Sequence, residues 1–229
     1  MDEYLVQGEQ GLQYASPDAP WSCHYFGRVE ILGTLNAGLA PGDRIAPENI
    51  WCPLPHDPAE FDRRLADAGG IDLFLLASGA NDGHVAFNPP GSARESRTRI
   101  IELPEAMRRD NLASFPVFRA LENVPHHAVS SGIATIADSH EAIMLAWGSG
   151  KRETVARMRV ATSYEHDWPA TLIHEVRAGE VVVDEEAGKV AAVSSIAPSS
   201  SSWRSTGSSE KLPLRTSQPS ISVQVATAR

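Results

Sequence analysis

The stretch "IDLFLLASGANDGHVAFNPPGS", residues 71–92, decides how this chain is read. Residues 71–78 form a short, continuously apolar run closed by a glycine. That is the pattern of a parallel strand covered on both faces. Gly79 lets the backbone turn sharply at the strand's carboxyl end, and Gly83 lets the loop approach a ligand closely. Asp82 and His84 then fall where a doubly wound sheet binds its ligands. A carboxylate two residues from an imidazole can orient it and raise its basicity, which suits general acid–base work. The competing reading is an ordinary Asn-Asp-Gly turn with an incidental loop histidine.

Working outward, apolar positions Phe26, Val29, Leu32, Leu35 and Leu39 recur at helical spacing. Ser22 is a candidate cap, and Pro41-Gly42 is a stop. "ENIWCPL" (48–54) reads as a short strand. "DPAEFDRRLADAGG" (57–70) reads as a helix with proline at its start and glycines after its end. Residues 97–103 read as a strand and 104–115 as a helix. Residues 126–160 then give a strand, a helical turn, a buried strand and a helix, before a last helix and strand over 167–186. Strands alternating with helices predict an α/β fold: three layers, a mainly parallel sheet, helices on both faces. Strands 71–78 and 141–147 are expected near the sheet's centre.

Composition narrows the function. The chain has 229 residues, 42% hydrophobic and 21% charged, enough for one well-filled core. A net charge of -9 and a pI near 5.3 argue against general binding to nucleic acid or an anionic membrane. Two cysteines, Cys23 and Cys52, argue against a disulfide framework. No apolar run reaches membrane-spanning length. The start "MDEYLVQGEQ" does not read as a signal peptide, so a soluble cytoplasmic protein is expected. From residue 193 onward periodicity is lost, and twelve serines fall between Ser194 and Ser222. Residues 193–229 are therefore expected to be a disordered tail, with a short strand in "SISVQVATA" as the alternative.

Two further groups could carry chemistry. "WGSGKRE" (147–153) repeats the arrangement of a buried strand, a glycine turn and a helix start. Lys151 there suits a phosphate, although a solvated lysine explains it as well. Arg94, Arg97, Arg99, Arg108 and Arg109 make the densest basic region. Arg97 and Arg99 alternate along an expected strand and would share a face. Asp2 and Glu3 read by composition alone as a frayed end. The histidines at 126, 127, 166 and 174 lack metal-site spacing.

"SGANDGHVAFNPPGSARESRTRI", "MDEY" and "GSGKRE" together resemble the glucosamine-6-phosphate deaminase family. That family belongs to the sugar-phosphate isomerase group that includes 6-phosphogluconolactonases. The likeness runs from Met1 to about Glu186 and implies one deaminase/isomerase-like domain over 1–192. It implies that Asp2 moves a proton between C1 and C2 of the opened sugar. His84 would open the ring, oriented by Asp82, and Lys151 would hold the substrate phosphate. Ser92, Arg97 and Arg99 fall in the stretch that lines an allosteric sugar-phosphate site in hexameric members. No cofactor and no metal are implied; the partner is a small sugar phosphate, and a homo-oligomer is compatible with the likeness. The chain departs from the pattern at Pro89, where a glutamate is usual, and at Ala113, where a phosphate-binding arginine is usual. The family's N-terminal βα units would precede Asp2, which leads us to expect a truncated chain. The implied activity is conversion of an amino sugar phosphate to a ketose phosphate with release of ammonia. The alternatives are a lactonase-type hydrolase and a non-catalytic sugar-phosphate-binding protein.

Overall fold

The computed structural model describes residues 1–189, 212–213 and 222–225. They fall into two compact units. The first comprises Met1–Gly69, Ala86–Pro89 and Glu95–Thr135; the second comprises Gly70–Val85, Pro90–Arg94 and the chain from Ile136.

The first unit is built on a four-stranded antiparallel sheet ordered β2-β1-β5-β4. Its strands are β1 (Glu3–Gly8), β2 (Gly11–Tyr14), β4 (Arg99–Glu102) and β5 (His127–Ser130). Tyr4 pairs with Ala128, and Ile101 pairs with Ala128 from the other side. This register gathers Tyr4, Phe87, Ile101, Leu103 and Met107 into the core. The Tyr4 ring meets Phe87 edge-on, with centroids 4.8 Å apart. Helix α3 (Pro58–Asp67) starts as expected, with the Asp57 carboxylate accepting from the Glu60 amide at 3.2 Å. Helix α4 (Glu105–Ser114) buries Met107.

The helix expected after Ser22 differs from its pattern. Ser22 does cap it, accepting from the Tyr25 amide at 3.0 Å. The segment is however α1 (Cys23–Tyr25), a π-helix (Phe26–Leu32) and α2 (Gly33–Ala37). The wider π turn pulls the three- and four-residue stripe off one face. Leu32 is buried, whereas Phe26, Val29 and Leu35 are exposed. The strand expected at 48–54 is absent: Pro47–Asn49 is a 3₁₀ turn and Leu54 makes an isolated bridge to Asp57. Pro53 and Pro55 cannot donate to a ladder.

The second unit carries the parallel sheet that the sequence predicts, ordered β3-β6-β7-β9-β8. Strands β3 (Leu73–Ala77), β6 (Glu141–Ala146), β7 (Gly179–Val183) and β9 (Ser222–Val225) run parallel, and β8 (Leu212–Pro213) pairs antiparallel with β9. Helix α6 (Arg152–Val160), the 3₁₀ helix Pro169–His174 and α7 (Glu185–Gly188) accompany it, and α5 (Ile133–Ala137) spans the sequence boundary between the units. Leu76, Met144, Val181, Val155 and Leu172 are all buried.

Two expectations change here. Strand β3 lies at one end of the strand order, not near its centre, with β6 as its described strand neighbour. Because strand side chains alternate, Leu76 is buried while Leu75 is 61% exposed, so the cover expected on both faces is absent among the described residues. The expected tail over 193–229 lies outside the described residues except for β8 and β9. Strand β9 lies within the "SISVQVATA" segment that the sequence offers as an alternative short strand, and it extends the ladder at β7.

Candidate active site

At the carboxyl end of β3, the Ser78–Val85 bridge and a hydrogen bond from the Gly79 amide to the His84 carbonyl (2.8 Å) close a tight loop. Inside it, Asp82 Oδ1 accepts from both the His84 amide (3.1 Å) and His84 Nδ1 (2.7 Å). The carboxylate therefore fixes the ring's orientation and leaves Nε2 for proton exchange. Burial pushes the Asp82 carboxyl up, but its hydrogen bond to His84 and the charge of that ring outweigh burial and hold it below its ordinary value. Asp82 thus stays ionised through the neutral range. Glycine at 79 leaves room for the pair, because a Cβ there would overlap Asp82 Oδ1 and His84 Nδ1 and push those side chains aside. Gly83, at φ +64°, is needed for a different approach than the sequence suggests: the Trp168 ring packs against it.

Lys151 reaches the same sheet edge. Gly148, at φ +81°, turns the chain after β6, and Ser149–Lys151 lead into α6. Lys151 Nζ donates to the Ser78 carbonyl, and Thr154 Oγ1 donates to the Gly79 carbonyl at 2.8 Å. The Gly148 amide donates to the Asp184 carboxylate at 3.0 Å, so the end of β7 pins this turn. Asp82, His84 and Lys151 are thus brought to one edge of the second unit's sheet.

Asp2 belongs to the first unit. Its carboxylate accepts from Ser130 Oγ (2.8 Å) and the Ser131 amide (2.9 Å). Asn88 Nδ2 donates to the Ser131 carbonyl at 2.7 Å, and Arg99 Nη1 donates to Asn88 Oδ1 at 2.9 Å. Burial raises the Asp2 carboxyl above its ordinary value, only partly offset by the terminal amine and the Ser130 and Ser131 donors. A carboxyl raised in this way is a stronger base once ionised.

The other expected residues separate. Arg97 precedes β4, so it does not alternate with Arg99 on a strand face. Ser92 is buried in the second unit, where its carbonyl accepts from Tyr164 Oη at 2.7 Å. Arg97 and Arg99 belong to the first unit. Among the described residues no group of three or more His, Cys, Asp or Glu side chains is placed to hold a metal ion, and no helix is long and apolar enough to cross a membrane.

Glu3 is the residue that composition misplaced. It is fully buried: one oxygen accepts from the Tyr4 (2.7 Å) and Cys23 (3.1 Å) amides, the other from the His24 amide (2.8 Å) and His24 Nδ1 (2.7 Å). His24 is pushed up to about 9 by its hydrogen bonds with Cys52 and Glu3, against a lowering by burial. Its stabilising contribution is complete below the unfolded value of 6.5 and is lost as pH rises through about 9. The melting temperature should therefore fall across that window, and His24→Gln should flatten the fall in a calorimetric pH series.

The fold and the His–Asp pair define an α/β protein with a candidate acid–base site at one sheet edge, and its relatives specify the family. No family model matches the chain. A glucosamine-6-phosphate deaminase from Mycolicibacterium smegmatis is 32% identical over 189 residues, covering 82% of this chain and 67% of that protein. One from Rhodococcus opacus is 37% identical over 163 residues, 71% of this chain and 61% of that protein. The solved structure of a monomeric glucosamine-6-phosphate deaminase superposes with a TM-score of 0.65 at 28% identity, covering 83% of this chain and 73% of that one. A Trypanosoma brucei 6-phosphogluconolactonase shares the fold at a TM-score of 0.52 and 19% identity. The chain belongs to the glucosamine-6-phosphate deaminase family. It spans 61% and 54% of the length of two Rhodococcus relatives that it matches.

Proposed function

We propose that this protein is a cytoplasmic enzyme that converts glucosamine-6-phosphate to a ketose phosphate and ammonia without a cofactor. The observation that carries the reading is the Asp82–His84 pair, closed by the Gly79 hydrogen bond at the carboxyl end of β3. His84 takes the C1 hydroxyl proton and returns one to the ring oxygen, opening the ring. Asp2 moves the C2 proton to C1. The resulting C2 imine adds water and expels ammonia, so substrate and one water are consumed for each ketose phosphate and ammonia. Lys151 supplies the point charge for the phosphate.

The deciding experiment compares ammonia release from glucosamine-6-phosphate with hydrolysis of 6-phosphogluconolactone. Binding of the amino sugar phosphate with neither reaction would favour the non-catalytic reading. Lys151→Ala should raise KM for the phosphorylated sugar about tenfold or more, in line with loss of one charge-assisted hydrogen bond, and leave kcat much less changed.

Pro89 is the one feature that favours the lactonase reading, since the family pattern has a carboxylate there. Pro89→Glu should raise ammonia release if the protein is a deaminase working without that carboxylate. An unchanged background of ammonia with damaged lactone hydrolysis would assign the other reaction.

A further inference from the structure

The loop that carries Asp82 and His84 takes part of its shape from elsewhere. Asp82 Oδ1 accepts from both the His84 amide and His84 Nδ1 with Gly83, between them, at φ +64°. Glycine adopts other conformations as readily, so this one is imposed by its surroundings. Two contacts from one distant segment of the same unit impose it. The Ala170 amide donates to the Gly83 carbonyl at 2.7 Å. The Trp168 ring covers the face of Gly83 where a side chain would stand: a Cβ there would lie 2.6, 2.5 and 2.5 Å from Cδ1, Nε1 and Cε2 of the indole.

That ring is itself held. Trp168 is buried; its amide donates to the Glu165 carbonyl (2.9 Å), and its carbonyl accepts from the Thr171 amide (2.9 Å) and Thr171 Oγ1 (2.8 Å). The Arg157 guanidinium stands 4.8 Å from the ring centroid and reaches Glu165 at 3.9 Å. Among the described residues, however, the buried indole Nε1 has no hydrogen-bond partner. A buried, unpaired donor destabilises the fold, and an apolar side chain at 168 would avoid that penalty. What the site uses is therefore the flat, rigid shape of the ring and not its polarity.

We propose that Trp168 is a positioning residue for His84. It holds Gly83 in its left-handed conformation, which keeps Asp82 on Nδ1 and leaves Nε2 to exchange protons. A flat ring packed on a glycine Cα leaves the backbone no room to roll. A flexible side chain of similar size would fill the space without fixing a plane. With the restraint gone, water competes for the Asp82–His84 bond, since both side chains are partly exposed, and the ring samples both tautomers. The effect on turnover rests on the deaminase reading above; the effect on the His84 ring does not.

The test reads the His84 ring nitrogens by long-range proton–nitrogen NMR on the full chain, with the His84 signals identified by their loss in His84→Ala. In the unaltered chain neutral His84 should be a single tautomer with its proton on Nδ1. Trp168→Leu should bring in the Nε2–H tautomer. It should also lower kcat for ammonia release about tenfold while KM changes less than about twofold, as expected when an acid–base group is misplaced. Trp168→Phe puts a flat ring back and should restore the single tautomer and most of kcat. A lower melting temperature in Trp168→Leu with the Nδ1–H tautomer intact would mark a merely structural role and overturn the proposal. A tautomer shift in Trp168→Leu, in a protein whose unaltered chain releases no ammonia, would uphold the positioning role and count against the deaminase reading alone. Should Trp168→Leu fail to fold, Trp168→Met fills more of the space with a flexible chain and decides on the same readout.

Discussion

His84→Ala is expected to lower kcat for ammonia release by about 10²-fold or more, the usual scale for losing one positioned acid–base group. The loss should fall on turnover. The backbone bonds that shape the loop, from the Gly79 amide to the His84 carbonyl and from the His84 amide to Asp82, need no imidazole. The ring is 16% exposed, so its removal opens a gap at the surface and not a cavity in the core. The melting temperature should therefore move little, and KM should change far less than kcat. Asp82→Asn supplies the companion measurement. It keeps the shape but weakens the hold on the His84 ring, and it should cost less than His84→Ala. A fall in turnover below about fivefold for His84→Ala would remove this histidine from the chemistry.

The second unit was legible because its signals are local. A short apolar run closed by glycine makes β3, and a glycine turn before Lys151 makes the start of α6. Both lie within windows of about ten residues, and parallel pairing then places their ends on one edge. In the first unit α3, β4, α4 and β5 were legible for the same reason, but its amino-terminal strands were not. Strand β1 pairs with β5 more than 120 residues away in sequence, Tyr4 with Ala128, and nothing near Glu3 announces that partner. Asp2 and Glu3 read as a frayed end because charged residues at a terminus are normally solvated. Here Ser130 and Ser131 provide the Asp2 donors, while Cys23 and His24 bring donors to Glu3. Thr154 at the Gly79 carbonyl and Asp184 at the Gly148 amide escaped in the same way, since each supports a turn from a distant element. The stripe from Phe26 misled because a π turn does not keep the spacing of an α-helix.

Asp2→Asn separates chemistry from stability, and the two should move in opposite directions. If Asp2 carries the proton between C2 and C1, the amide cannot accept it, and turnover should fall by about 10²–10⁴-fold. The amide is nearly the same shape and still accepts from the Ser131 amide, while Ser130 Oγ retains the Ser131 carbonyl as a partner at 3.3 Å. Burial raises the folded-state value of Asp2 above 3.8, so the folded chain resists the ionised form that the unfolded chain accepts freely. That penalty is complete at pH above the raised value and vanishes below the ordinary one. At neutral pH Asp2→Asn should therefore leave the melting temperature unchanged or higher, and the difference from the unaltered chain should close as pH falls toward 4. The acid limb of kcat/KM in the unaltered protein should likewise lie above the ordinary aspartate value. A carboxylate retained for structure would give the reverse: a lower melting temperature at neutral pH with turnover within a few-fold. Calorimetry and ammonia release measured on the same preparation distinguish the two.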